Sequence, residues 1–161
     1  MSVYIKLVVL LFGVHCYHKP TPPIPTTQTH ETIHGTGLTV QQCEYLDKTV
    51  IPNILNNRTN VPNSIIIAQA LLESGNGTSS LSKINNNHFG HRNKIGYLVY
   101  KTDKDCFNKH IQLLNGRYWT NGDFVGWARN LKNKKYASAK DYDVKLIQII
   151  NQYQLYKYDK L

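Results

Sequence analysis

The chain has 161 residues, 41% of them apolar and 18% charged, which describes a globular chain with one packed domain and excludes a chain without a core. Nineteen lysines and arginines against ten acidic residues leave a net charge of +9. That balance favours anionic surroundings such as a cell wall, a membrane surface or nucleic acid, without choosing among them.

Near the N-terminus, Lys6 precedes the apolar run Leu7–Val14, too short to span a bilayer but of the right length for a signal-peptide core. Residues 1–18 therefore read as an export signal, placing the chain in the periplasm, in the cell envelope or outside the cell. Cys16 follows the run, as the lipidated cysteine of a lipoprotein does, although His15 stands where such signals want a small residue. Membrane anchoring through Cys16, ordinary cleavage nearby and an uncleaved anchor all stay open. Residues 19–37 hold four of the six prolines together with several threonines, the composition of a spacer. His18, His30 and His34 are irregularly spaced there and read as solvated side chains, not as metal ligands.

The folded domain is expected over residues 38–161. Val40, Cys43, Leu46, Val50 and Ile54 recur at helical steps behind Thr39, a candidate N-cap, with Pro52 disturbing the helix. A second helix starts at Asn63 after Pro62, and its apolar residues surround it on all sides. It should be the buried central helix, ending at Gly75. Residues 84–90 read as irregular structure, and 96–100 as the one segment with strand character, giving a small hairpin. Thr102 and Asp105 form a capping-box start for a helix whose apolar face is Phe107, His110, Leu113 and Leu114. Phe124, Trp127, Ala128 and Leu131 mark a further helix, and Leu146, Ile149, Ile150 and Tyr153 a last one. The fold class is mainly α with a minor hairpin.

One carboxylate stands out, that of Glu73 in "ALLESGNG". In the last turn of a helix it meets the negative end of the helix dipole, and burial beside Leu71 and Leu72 further disfavours ionisation. An acid still protonated near neutral pH is what cleavage of a glycosidic bond requires, because the leaving oxygen must receive a proton. Gly75 and Gly77 would let backbone lie close to a sugar. The plain alternative is a solvated glutamate before an ordinary glycine cap, and these residues alone leave the two level.

The segment "IIIAQALLESGNGTSSLSKINNNHFG" (65–90), continued by "YKTDKDCFNKHIQLLNGRYW" (100–119) and "GWARNLKNKKYASAKDYDVKLIQIINQYQLYKYD" (126–159), resembles glycoside hydrolase family 73, the bacterial endo-β-N-acetylglucosaminidases. The resemblance covers nearly everything from Leu38 onward. It implies a lysozyme-like helical fold with a small β-hairpin lobe beside a glycan groove. The implied activity is hydrolysis of the β-1,4 bond between N-acetylglucosamine and N-acetylmuramic acid in peptidoglycan. Carried onto this chain, Glu73 takes the general-acid position and Tyr136 that of a tyrosine beside the reacting sugar. Asn87, His88, Phe89 and Gly90 match a groove-lining segment, and Trp127 a groove aromatic.

One departure concerns the second acid that this family often carries in the hairpin. Residues 91–102 contain no Asp or Glu, and Asp103 and Asp105 read as helix-start residues. The substrate's own 2-acetamido group could serve as nucleophile, Asp103, Asp105 or Asp141 could lie closer than the sequence suggests, or the domain could bind glycan without cleaving it. Cys43 and Cys106 could bridge or stay as buried thiols. No cofactor, no metal and no nucleic-acid partner is expected, and the chain is expected to be a monomer. Wall remodelling, passage of a secretion or conjugation machine and attack on competitors would use the same chemistry.

Overall fold

The computed structural model describes residues 37–160. The export signal, Cys16, His18, His30, His34 and all of the spacer except Gly37 lie outside the described residues. Thr39 caps α1 (Val40–Tyr45) through a capping box with Gln42. The helix then widens into a π-helical turn over Leu46–Val50 and closes as α2 (Ile51–Ile54). Pro52 explains the widening. It has no N–H, and in a regular helix its ring would strike the carbonyl of Lys48. In the wide turn Ile51 N–H bonds to Leu46 O instead.

Helix α3 (Asn63–Ser74) is buried continuously from Asn63 to Leu71, as its all-round apolar surface requires. Pro62 offers no side-chain cap, so the first turn is capped from a distance. Asp159 accepts Ser64 N–H at 2.7 Å and Ser64 Oγ–H at 2.8 Å. This bond brings the C-terminal 3₁₀ segment Leu155–Lys160 onto α3. Gly75, with φ +58°, ends the helix in the left-handed conformation.

A short helix, α4 (Ser80–Asn85), capped by Ser79, stands where the sequence showed no apolar period. It takes in the first part of the Asn-rich text read as irregular. The expected hairpin is reduced to one antiparallel bridge, Arg92–Tyr97, and no strand forms among the described residues. Ile95, Tyr97 and Val99 point to solvent, so the alternation has no surface to pack on. Helix α5 (Asp103–Arg117) starts at the Thr102–Asp105 capping box and buries Cys106, Phe107, His110, Ile111 and Leu114. Helices α6 (Phe124–Asn133) and α7 (Tyr142–Gln152) pack on each other and on α3. Cys106 is a free, buried thiol, so the Cys43–Cys106 bridge does not form. Among the described residues no helix is long and apolar enough to cross a membrane.

The turn after Glu73 depends on one close contact. Gly77, at φ +77°, lies against the ring of Tyr45, and a Cβ added there would run into that ring. The space expected for a sugar is therefore filled by protein. Gly77→Ala should cost about 1–3 kcal/mol through overpacking and left-handed strain together. Thermal unfolding checks this, and a wild-type melting temperature would contradict the packing described.

Candidate active site

Glu73 sits half-buried in the last turn of α3. Its Oε1 accepts a hydrogen bond from the hydroxyl of Tyr142, the first residue of α7, at 2.8 Å. Burial raises its pKa above the ordinary 4.5, and the Tyr142 bond, which favours the ionised form, offsets only part of that rise.

The other carboxylates have different work. Asp103 pairs with His88 at 2.7 Å, and Asp105 completes its capping box. Asp123 caps α6, Asp159 caps α3, and Asp141 and Asp143 pair with Lys145 and Lys132. Glu44 pairs with Lys48 on the surface, and Asp47 is exposed. Among the described residues no second carboxylate perturbs Glu73.

Tyr136 reaches the same place by a backbone device. Helix α6 ends with Lys135 in the left-handed conformation, φ +55°, and Tyr136 N–H bonds back to Leu131 O at 2.9 Å. The chain thereby folds Tyr136 over the core, where its ring stacks on Tyr142 at 5.5 Å and meets Tyr118 and His110 edge-on. Burial, and then the nearby Glu73, hold its hydroxyl protonated well above the ordinary tyrosine range. Tyr136 also lines a cleft of about 720 Å³ with Lys132, Lys135 and Lys140. Neither Glu73 nor Tyr142 lines this cleft, nor the two others, around Asn53–Gln112 and around Pro62–Phe124.

The structure corrects the expected sugar platforms. Trp127 is fully buried in the core, so neither face of its indole is open to a ligand. Phe89 is buried and stacks on His110 at 3.6 Å. Buried His88 links the Tyr45 hydroxyl to Asp103. Asn87 fastens the following loop, donating to His91 O and Leu98 O and accepting His91 N–H. Of the four segment residues, only Gly90 keeps appreciable exposure. The segment's side chains bond and stack within the protein.

Residue-by-residue reading missed Tyr142, Gln69, His110 and His91 as members of the site. Two signals were present. Gln69 is a polar residue inside a helix expected to be buried on all sides, and His110 lies on an apolar face; buried polar groups need partners. Tyr142 closes the "YASAKDY" stretch that Tyr136 opens. Among the described residues no three His, Cys, Asp or Glu side chains converge as a metal ion would need.

Comparison with known proteins gives the family and the fold. The profile of the mannosyl-glycoprotein endo-beta-N-acetylglucosaminidase family covers residues 53–155. A search of curated proteins returns no match. Among solved structures, the catalytic domain of the autolysin Auto from Listeria monocytogenes superposes with a TM-score of 0.62 at 23% identity, over 74% of this chain and 88% of that one. The glycoside hydrolase domain of FlgJ from Salmonella typhimurium gives 0.56 at 25% identity, over 70% and 88%. A peptidoglycan hydrolase from a Sphingomonas species gives 0.59 at 20% identity, over 71% and 90%. With a lysozyme-like helical fold and the family profile matched over most of the domain, the chain belongs to the mannosyl-glycoprotein endo-beta-N-acetylglucosaminidase family, glycoside hydrolase family 73, and is a glycoside hydrolase.

Proposed function

We propose that the protein hydrolyses peptidoglycan at the β-1,4 bond between N-acetylglucosamine and N-acetylmuramic acid, with Glu73 as the general acid. The observation that carries this reading is that Glu73 alone among the described carboxylates is half-buried, without a cationic partner, and held at a tyrosine hydroxyl. Its raised pKa keeps a proton available for the leaving oxygen as the C1–O bond breaks. On this reading Tyr136, which stacks on Tyr142 and lines the neighbouring cleft, supports the reacting sugar. The lysines of that cleft and the net +9 suit an anionic wall polymer.

With the other described carboxylates paired, capping helices or exposed elsewhere, we assign the nucleophile to the substrate. The carbonyl oxygen of its 2-acetamido group attacks C1 as Glu73 gives its proton to the leaving sugar. Water then opens the resulting oxazolinium ring, losing a proton to the Glu73 carboxylate, and the acid is restored. On this reading the enzyme works at the cell envelope, where its substrate is, with residues 1–18 as an export signal and 19–37 as a spacer.

Glu73→Gln should abolish release of muropeptides from purified sacculi, a loss of about a hundredfold or more, because an amide has no acid proton to give. Near-wild-type release would refute the assignment. The same variant tests the electrostatics. Below the ordinary 4.5 the carboxyl is protonated whether folded or unfolded; above it the unfolded chain ionises freely, while the folded chain must ionise a half-buried group. Stability therefore falls as pH rises from the ordinary to the raised value, and stays lower beyond. Glu73→Gln should melt higher than wild type at neutral and alkaline pH and equal to it in acid. A difference independent of pH would contradict the raised pKa.

A further inference from the structure

Beneath Glu73 lies an unbroken row of polar side chains through an otherwise apolar interior. Tyr142 donates to Glu73 Oε1 at 2.8 Å and accepts from Gln69 Nε2 at 3.0 Å. With its amide nitrogen turned to Tyr142, Gln69 presents Oε1 to His110 Nε2, 3.0 Å away. That nitrogen must therefore carry hydrogen and donate. A neutral His110 then has only Nδ1 left as an acceptor, and His91 Nε2 faces it at 3.1 Å. His91 in turn accepts at Nδ1 from the Tyr100 hydroxyl, 2.7 Å away. Every donor in the row points toward Glu73, and one choice of tautomer for each histidine satisfies every group.

Both rings are held neutral. Burial lowers the His91 pKa to about 4, with Lys109 adding to the effect, and burial with His91 alongside lowers His110 well below its ordinary value. Gln69 and His110 are each fully buried, so a missing link leaves a polar atom with no water to replace it. The groups facing His110 are Gln69 from α3, His91 and Phe89 from the loop after α4, and Tyr136 from the turn after α6. Glu73 is faced by Tyr142 and Tyr136.

We propose that Gln69, His110 and His91 are positioning residues for the general acid: the row they form fixes the Tyr142 hydroxyl as a donor to Glu73 Oε1, which leaves Oε2 as the oxygen that carries and delivers the proton. The inference rests on Glu73 being that acid. It adds which of its two oxygens acts and what enforces the choice. The amide of Gln69 interrupts any hydroxyl-and-imidazole path, so the row works by orientation and polarisation, not by conducting protons. When Glu73 gives up its proton, the fixed hydroxyl is already aimed at the new carboxylate.

The test uses the full chain with a carbon-13 label in the glutamate carboxyls, titrated by NMR, together with kcat and KM against pH. Gln69→Met and His110→Phe remove the row's donors, and His110→Gln keeps one directed at Gln69. Loss of the directed Tyr142 bond disfavours ionised Glu73. In Gln69→Met and His110→Phe its titration, and the alkaline limb of kcat, should therefore move to higher pH. Near neutral pH, kcat should fall about tenfold to a hundredfold, the cost of a misplaced catalytic group, with KM little changed. His110→Gln should recover most of the loss. Folded variants with an unchanged Glu73 titration and unchanged kcat would overturn the proposal. Should the two core variants fail to fold, Tyr100→Phe at the half-exposed end carries the test: a smaller shift in the same direction supports the row, and none refutes it. The titration does not need turnover, so activity retained in Glu73→Gln would sink the acid assignment separately.

Discussion

A helix buried on nearly every side can bring a carboxylate to a substrate only at its end, and α3 is such a helix. Its apolar residues fill the core from Ile65 to Leu71, and Glu73 emerges in the last turn, half in contact with protein. The position has two consequences. The carboxyl meets burial and the negative pole of the helix dipole, which both favour its protonated form. The carboxyl is also carried by an element that cannot rotate or slide without disturbing the whole core. In the proposed role of Glu73, an acid that delivers a proton to one atom of a sugar, both would help.

What surrounds the helix end is polar and directional. On one side the Tyr142 hydroxyl bonds to Glu73 and stands on the row that leads through Gln69 to the histidines. On another, Tyr45 fills the space over Gly77 while its hydroxyl meets His88, which is anchored by Asp103 at the start of α5. The loop after α4 thus braces the turn beyond Glu73 without presenting its own aromatic faces to the cleft. Open surface lies instead near Tyr136 and the lysines at the end of α6.

The helical part of the fold was readable in residues with strong local meaning. Thr39, Pro62, Gly75 and the Thr102–Asp105 pair set helix ends by capping and backbone chemistry, which act within a few residues. The hairpin is reduced to one bridge because the strand character of residues 96–100 makes a strand only if one face finds a core, and that depends on the tertiary fold. Helix α4 was missed because six mostly polar residues carry no period. At the site, the place of Glu73 at the end of an apolar helix left a catalytic acid and a plain helix-end glutamate level, and the family resemblance singled it out. Trp127 and Phe89 illustrate the opposite case, since an aromatic pattern reads the same whether the ring faces sugar or core. Tyr142, Gln69 and His110 meet across separations of 73 and 41 residues, so only the packed structure joins them.

In the proposed mechanism a glucosaminidase works with one protein carboxylate and borrows its nucleophile from the substrate. Early proton NMR of a soluble peptidoglycan fragment during cleavage tests this most directly, because it reads the new reducing sugar and its anomeric form before mutarotation. Two successive displacements at C1 predict reducing N-acetylglucosamine appearing first as the β anomer. An initial α signal, or a reducing end on N-acetylmuramic acid, would contradict it.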